Sequence, residues 1–145
     1  MLEIGIGLSN EAPGSSLKSW KELYPNANIY GADINKSVLF EEDRIKTFYT
    51  NQLSRFDLLE FKKNLNNTKF DVIIDDGLHT YEANINTFET LFSLLEKKGF
   101  YFIEDIIYPN LSKYIQYFDK KYNFKVIESL NVNEPWGNCM IIITK

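Results

Sequence analysis

The sequence predicts an α/β fold, a doubly wound and mostly parallel sheet with helices on both faces. Three observations predict it. Short β-branched runs alternate with helical patterns along the chain. Two of those runs, Phe70 to Asp75 and Phe100 to Glu104, end abruptly in acids. The last two runs are joined by a short connection with no helix signal, as expected of an antiparallel pair beside parallel strands.

Leu2-Glu3-Ile4-Gly5-Ile6-Gly7 reads as a strand entering a glycine turn. Ser16 could cap a helix running through Leu17, Trp20 and Leu23 to Tyr24, and Pro25 stops it. Residues 28 to 33 form a second strand ending in Asp33, with a short helix expected around Val38 to Glu42. Ile45 to Thr50 alternates at period two and gives a third strand, and a helix is expected from Phe56 to Leu65. Beyond the Phe70 to Asp75 strand, apolar residues at helical spacing (Ile85, Phe88, Leu91, Phe92, Leu95) predict a helix over Tyr81 to Lys98, with Gly99 as its stop. Phe100 to Glu104 is the fifth strand, and Leu111 to Lys121 another amphipathic helix. Phe124 to Leu130 and Asn138 to Thr144 are the final strands, joined through Pro135-Trp136-Gly137.

Composition narrows the class. At 145 residues the chain suits one domain, and 44% hydrophobic content implies a packed core rather than disorder. The net charge is −4 and Arg44 and Arg55 are the only arginines, so there is no basic stripe for a phosphate backbone and nucleic acid is a poor partner. No apolar run reaches membrane-spanning length and no signal peptide is evident. A lone cysteine, Cys139, is compatible with a reducing compartment, and a cytoplasmic protein is expected.

Acids at the carboxyl ends of neighbouring strands converge on one crevice, where open α/β sheets bind ligands. Asp75-Asp76-Gly77-Leu78-His79 and Glu104-Asp105 would meet there, with the chain's only histidine. Carboxylates brought so close repel unless a proton or a cation intervenes, so a divalent metal with hard oxygen ligands is expected. The glycine turn opens as Glu3-Ile4-Gly5-Ile6-Gly7, but Gly14 comes too late to complete G-x-G-x-x-G, so the pyrophosphate cradle of a dinucleotide site is incomplete. Gly5 and Gly7 could equally be ordinary strand-to-loop glycines. Asp33 is placed to accept hydrogen bonds from the two hydroxyls of an adenosine ribose, or else to cap the short helix beyond it. Ile34 could cover an adenine face, and the amides of Asn51 and Gln52 could bind its edge.

Together these segments, with Pro13-Gly14-Ser15-Ser16-Leu17, resemble the metal-dependent macrolide-sugar O-methyltransferases of the mycinamicin and tylosin tailoring type. The resemblance implies a class I, Rossmann-like sheet of seven strands in the order 3-2-1-4-5-7-6, strand 7 antiparallel. It implies S-adenosylmethionine over Glu3, Gly5, Gly7, Asp33, Ile34, Asn51 and Gln52, with Asp75 facing the cofactor's methionine end. It further implies Asp76, Glu104 and Asp105 as Mg²⁺ ligands, His79 as general base, and a sugar-like hydroxyl as acceptor. A catechol-type acceptor and a non-catalytic S-adenosylmethionine-binding module are the alternatives.

The chain departs from that family in several places. It starts directly at the first strand, where relatives carry preceding helices. A partner subunit or second copy covering the crevice, an open substrate site and a trimmed domain are the three readings. Asn51 stands where relatives often have Asp, and Leu78 replaces a small polar residue. Trp136 could stack on a sugar ring, Tyr81 and Tyr108 could border the acceptor, and Glu41-Glu42-Asp43 reads as a solvated run.

Overall fold

Alternation along the second strand shows how the chain is divided between two faces. Ile29 enters a small apolar cluster with Leu17 and Ile45, while Tyr30 and Ala32 join a larger one containing Phe61, Phe88 and Phe118. Successive strand residues point to opposite sides, so a core lies on each face of the sheet. The computed structural model describes residues 1–7, 13–128 and 139–145.

The strands are β1 (Leu2–Ile4), β2 (Ile29–Asp33), β3 (Glu41–Glu42), β4 (Ile45–Tyr49), β5 (Phe70–Asp75), β6 (Leu95–Ile106), β7 (Asn123–Glu128) and β8 (Cys139–Thr144). The helices are α1 (Ser15–Leu23), α2 (Arg55–Asn64), α3 (Tyr81–Leu91) and α4 (Leu111–Phe118). The sheet order is β3-β4-β2-β1-β5-β6-β8-β7. Strands β4, β2, β1, β5 and β6 run parallel, and β8 is antiparallel to both β6 and β7. The chain goes from β1 outward to β2 on one side and later returns to β5 on the other, so the crevice at the carboxyl end of β1 is the switch point where a ligand fits.

Helix α1 seals the smaller core through Leu17, and α2, α3 and α4 seal the larger through Phe61, Phe88 and Phe118. Phe88 is the hub, its ring packed edge-on against Tyr101, Phe118 and Tyr122 at centroid distances of 5.2, 4.9 and 5.0 Å. Full burial of such a ring stabilises by about 1.5–3 kcal/mol before its edge-to-face contacts are counted.

Three sequence expectations are corrected. The sheet has eight strands rather than seven, because Glu41–Glu42 pairs antiparallel with β4 where a helix was expected. The Thr47 hydroxyl holds both main-chain groups of Phe40, accepting from its N–H at 2.6 Å and donating to its carbonyl, which draws that segment extended along β4. Only a single 3-10 turn, Lys36–Val38, precedes it. The helix expected over Tyr81 to Lys98 ends at Leu91, and β6 begins at Leu95, which pairs with Phe70. Leu94 and Leu95 are buried either way, so spacing alone does not separate the two readings. Gly99 lies within β6, where a Cβ would stand 2.9 Å from the Asp71 carbonyl, so its lack of side chain serves strand approach rather than helix termination. Finally, Gly14 and not Ser16 caps α1, since the Ser16 hydroxyl donates to Glu3.

Among the described residues no helix is long and apolar enough to cross a membrane. Trp136 lies outside the described residues.

Candidate functional site

The site begins with two turns stacked on each other. Strand β1 runs into Gly5, whose φ is +86° and whose N–H donates to the Ala32 carbonyl at 2.8 Å. Strand β5 runs into Asp76, whose N–H donates to the Ile4 carbonyl at 2.9 Å. A Cβ on Gly5 would stand 2.2 Å from the Asp76 carbonyl oxygen, so a glycine is what allows the acidic turn to close over the first strand. At Gly7, by contrast, a Cβ would meet atoms at an ordinary 3.7 Å, and it is the φ of +147° that favours glycine there.

Above these turns lies a cavity of about 620 Å³. Glu3, Gly5 and Gly7 line its floor, Asp33, Ile34, Thr50 and Asn51 one wall, and Asp76, His79 and Asp105 the other. One open space thus takes in most of the residues singled out in the sequence.

Their individual placements differ. The Asp33 carboxylate accepts from the Ile6 N–H at 3.0 Å and the Asn35 N–H at 2.8 Å, one bond per oxygen. A carboxylate offers about four acceptor positions, so capping the local backbone leaves capacity for two ribose hydroxyls. The capping bonds are present, and they leave the acceptor positions that the ribose reading needs. Ile34 is 60% exposed on the cavity wall, as a residue that waits for a ring to cover would be. Asn51 spends its Oδ1 on the Leu53 N–H at 3.0 Å. Glu3 is buried and its carboxylate is taken up by Ser16 and by the Trp20 indole at 3.0 Å, so it anchors α1 to the sheet. Burial pushes its pKa up, and those two hydrogen bonds oppose the shift.

Asp75 does not face the cavity. It is fully buried on the α3 side, where its Oδ1 accepts from Gln52 Nε2 at 2.7 Å. Burial raises its pKa to about 6 despite the Gln52 hydrogen bond, and its Oδ2 is buried with no partner. Gln52 also turns its amide inward, onto Asp75, Thr87 and the Leu78 N–H, rather than toward an adenine edge. Along a strand neighbouring side chains diverge, so of the two acids ending β5 only Asp76 reaches the crevice.

On the opposite wall, Asp76, His79 and Asp105 each present one ligand atom, all within 4.8 Å of one another, the single such group among the described residues. His79 Nε2 lies 3.9 Å from Asp76 Oδ1, and its Nδ1 is buried with no hydrogen-bond partner. Glu104, expected with Asp76 and Asp105, is not in this group. Asp105 has φ +52° at a register shift in β6, so it is exposed where strand alternation would have buried it, while Glu104 keeps the other face. Glu104 stays near enough that Asp76 and Asp105, after burial, raise its pKa. Asp76 itself is pushed up to about 6 by burial, with His79 opposing and Asp105, Glu3 and Asp75 adding to the rise. The two carboxylates suit a hard divalent cation, and that cation would relieve the repulsion these shifts record.

Thr50 was not singled out in the sequence. Its hydroxyl is buried without a partner on the cavity wall, and its position just beyond a strand, next to Asn51, was the available signal. Tyr81 packs edge-on against Tyr114 at 5.0 Å and Tyr108 is exposed, and neither lines the cavity. Glu42 is a surface residue that pairs with Lys21 at 3.0 Å.

No protein-family model matches the chain. It is 36% identical over 108 residues to 8-demethyl-8-(2-methoxy-alpha-L-rhamnosyl)-tetracenomycin-C 3'-O-methyltransferase of Streptomyces olivaceus, covering 73% of this chain and 27% of that protein. It also matches the MycE methyltransferase of the mycinamycin pathway in complex with Mg, SAH and mycinamycin VI, with a TM-score of 0.62 and 36% identity over 72% of this chain and 27% of that one. A second MycE structure, with Mg and SAH, covers 99% of this chain and 44% of that one at a TM-score of 0.72 and 27% identity. The fold is the Rossmann-like α/β fold of methyltransferases. The resemblance to macrolide-sugar O-methyltransferases is therefore found in sequence and in structure alike. The chain spans about a quarter of the length of the curated relative it matches.

Proposed function

We propose that the 145 residues form one S-adenosylmethionine-binding catalytic domain that transfers a methyl group to a hydroxyl of a sugar or glycosylated small molecule with Mg²⁺ assistance. The observation that carries this reading is the shared cavity: Asp33, Ile34 and Gly7, suited to a nucleoside, and Asp76, His79 and Asp105, suited to a cation and a proton, line the same space. Similarity to MycE, whose complex contains Mg, SAH and mycinamycin VI, supports both the ligands and the acceptor class. The free, buried Cys139 is compatible with a reducing, cytoplasmic setting.

Each residue has a task that its surroundings permit. Asp33 accepts from the ribose hydroxyls, and Ile34 covers the base and excludes water from that end. Gly7, with no side chain, lets the cofactor lie close to the backbone. Asp76 and Asp105 hold the divalent cation, which when bound supplies positive charge that eases deprotonation of an acceptor hydroxyl. His79 accepts that proton, and the Asp76 carboxylate at 3.9 Å stabilises the imidazolium formed. A second reading is favoured by one observation, the inclusion of His79 in the three-residue ligand group: the imidazole could be a cation ligand itself.

Calorimetry separates these. S-adenosylhomocysteine is expected to bind and NAD is not. His79→Ala is expected to keep S-adenosylhomocysteine and Mg²⁺ binding while losing methyl transfer. Loss of Mg²⁺ affinity in that variant would make His79 a ligand, and undiminished turnover would end its assignment as base.

A further inference from the structure

We propose that Gln52, which lines the cavity but turns its amide away from it, is a positioning residue that sets the Asp76–His79 turn, an inference that rests on the methyltransferase reading above. The side chain is 7% exposed and its amide is used at both ends. Nε2 donates to Asp75 Oδ1 at 2.7 Å and to Thr87 Oγ1 at 2.9 Å, and Oε1 accepts from the Leu78 N–H at 2.8 Å. The orientation of the amide is set by its partners. Leu78 N–H can only donate, and the Thr87 hydroxyl already gives its proton to the Ala83 carbonyl at 2.8 Å, so it accepts from Gln52.

One amide thus ties the end of β5, the acidic turn and α3 to the segment after β4. Leu78 lies between Asp76 and His79, so its N–H is the point from which both side chains are aimed. The turn is otherwise held by the Asp76 N–H on Ile4 at one end and by α3 at the other, where Thr80 caps the helix through the Ala83 N–H at 3.3 Å. His79 between them has φ +56°, a conformation that surrounding contacts must maintain. Gly77 makes the arrangement possible, because a Cβ there would stand 2.1 Å from Gln52 Oε1. Residues that orient the ligands of a metal without touching it commonly change affinity or activity by about 10–100-fold when removed.

The test uses Gln52→Met, of similar shape but without the amide, beside Thr87→Val, which removes one partner of Gln52 and no contact to the turn. Amide exchange at Leu78 by NMR and titration with Mn²⁺ are the readouts, with the melting temperature recorded for both. Gln52→Met is expected to speed Leu78 exchange about tenfold and to weaken Mn²⁺ binding about 10–100-fold. S-adenosylhomocysteine affinity is expected to fall less than Mn²⁺ affinity. Thr87→Val is expected to lower the melting temperature while leaving Leu78 exchange and Mn²⁺ binding as in the wild type. Unchanged Leu78 exchange in Gln52→Met overturns the proposal, as do losses in both variants that merely track their melting temperatures. If the wild type binds no Mn²⁺, the metal reading fails, and Leu78 exchange still decides whether Gln52 holds the turn.

Discussion

The Asp76 carbonyl oxygen lies over Gly5, 2.2 Å from where a Cβ on that glycine would stand. The glycine turn after β1 and the acidic turn after β5 are consequently one construction, and a side chain at Gly5 would displace Asp76. Gly5→Ala is expected to lose about 3 kcal/mol of stability through backbone strain and overpacking, and to lose Mn²⁺ binding. Gly7→Ala meets no such atom, but its φ of +147° strains any side chain and the methyl would enter the cavity floor, so it is expected to cost less stability than Gly5→Ala, to weaken S-adenosylhomocysteine binding and to spare Mn²⁺. Urea unfolding and two titrations check this pair. Equal effects of both substitutions on both ligands would contradict it.

Beneath the cavity, the Tyr114 hydroxyl donates to Asn84 Oδ1 at 2.6 Å, and both residues are buried. Removing the donor leaves a buried amide oxygen unsatisfied. Tyr114→Phe is expected to cost about 1–3 kcal/mol in urea unfolding. Tyr117→Phe serves as the comparison, because its hydroxyl bonds Glu89 at the surface, where water replaces the lost partner. A cost for Tyr117→Phe as large as that for Tyr114→Phe would count against the buried network.

Divalent cation binding should depend on pH through the group that the cation displaces a proton from. Asp76 has its pKa raised to about 6, chiefly by burial. Below that value the cation competes with a proton, so Mg²⁺ affinity is expected to fall as pH drops from about 7 to 5, approaching about tenfold per unit for each proton released. Isothermal titration at three pH values measures the slope. An affinity independent of pH over this range would remove Asp76 from the ligand set.

What the sequence revealed and what it hid divide along one physical line. Strand ends were legible because acids abruptly succeed β-branched runs, which placed Asp33, Asp76 and Asp105 on the cavity wall. The start of β6 was not, because Leu94 and Leu95 are buried whether the backbone is helical or extended. The two-residue β3 was hidden for another reason: it depends on the Thr47 hydroxyl gripping Phe40, a contact across the turn that no local pattern encodes. Within the site, the choice between neighbours failed where direction mattered. Asp75 was expected at the cofactor yet turns toward α3, Gln52 lines the cavity but spends its amide on Asp75, Thr87 and Leu78, and Asp105 departs from the alternation that Glu104 obeys.

Asp75 carries the sharpest expectation for stability. Its folded pKa is about 6 against 3.8 for the free group, because burial disfavours the anion more than its hydrogen bonds restore it. Between these values the folded chain holds a proton that the unfolded chain has released. The folded state therefore binds more protons, and stability falls as pH rises through the window. The contribution is complete below the unfolded value and gone above the folded one, a swing on the order of 3 kcal/mol. Asp75→Asn removes the titration while its amide oxygen can still accept from Gln52. Relative to the wild type, this variant is thus expected to gain stability between about pH 4 and pH 7.5, by an amount approaching that swing. Urea unfolding of both proteins at the two pH values, without divalent cations, measures the difference directly. A gap that stays constant would mean that Asp75 is as readily ionised in the folded chain as in the unfolded one, and that its polar surroundings, Gln52 first among them, fully compensate its burial.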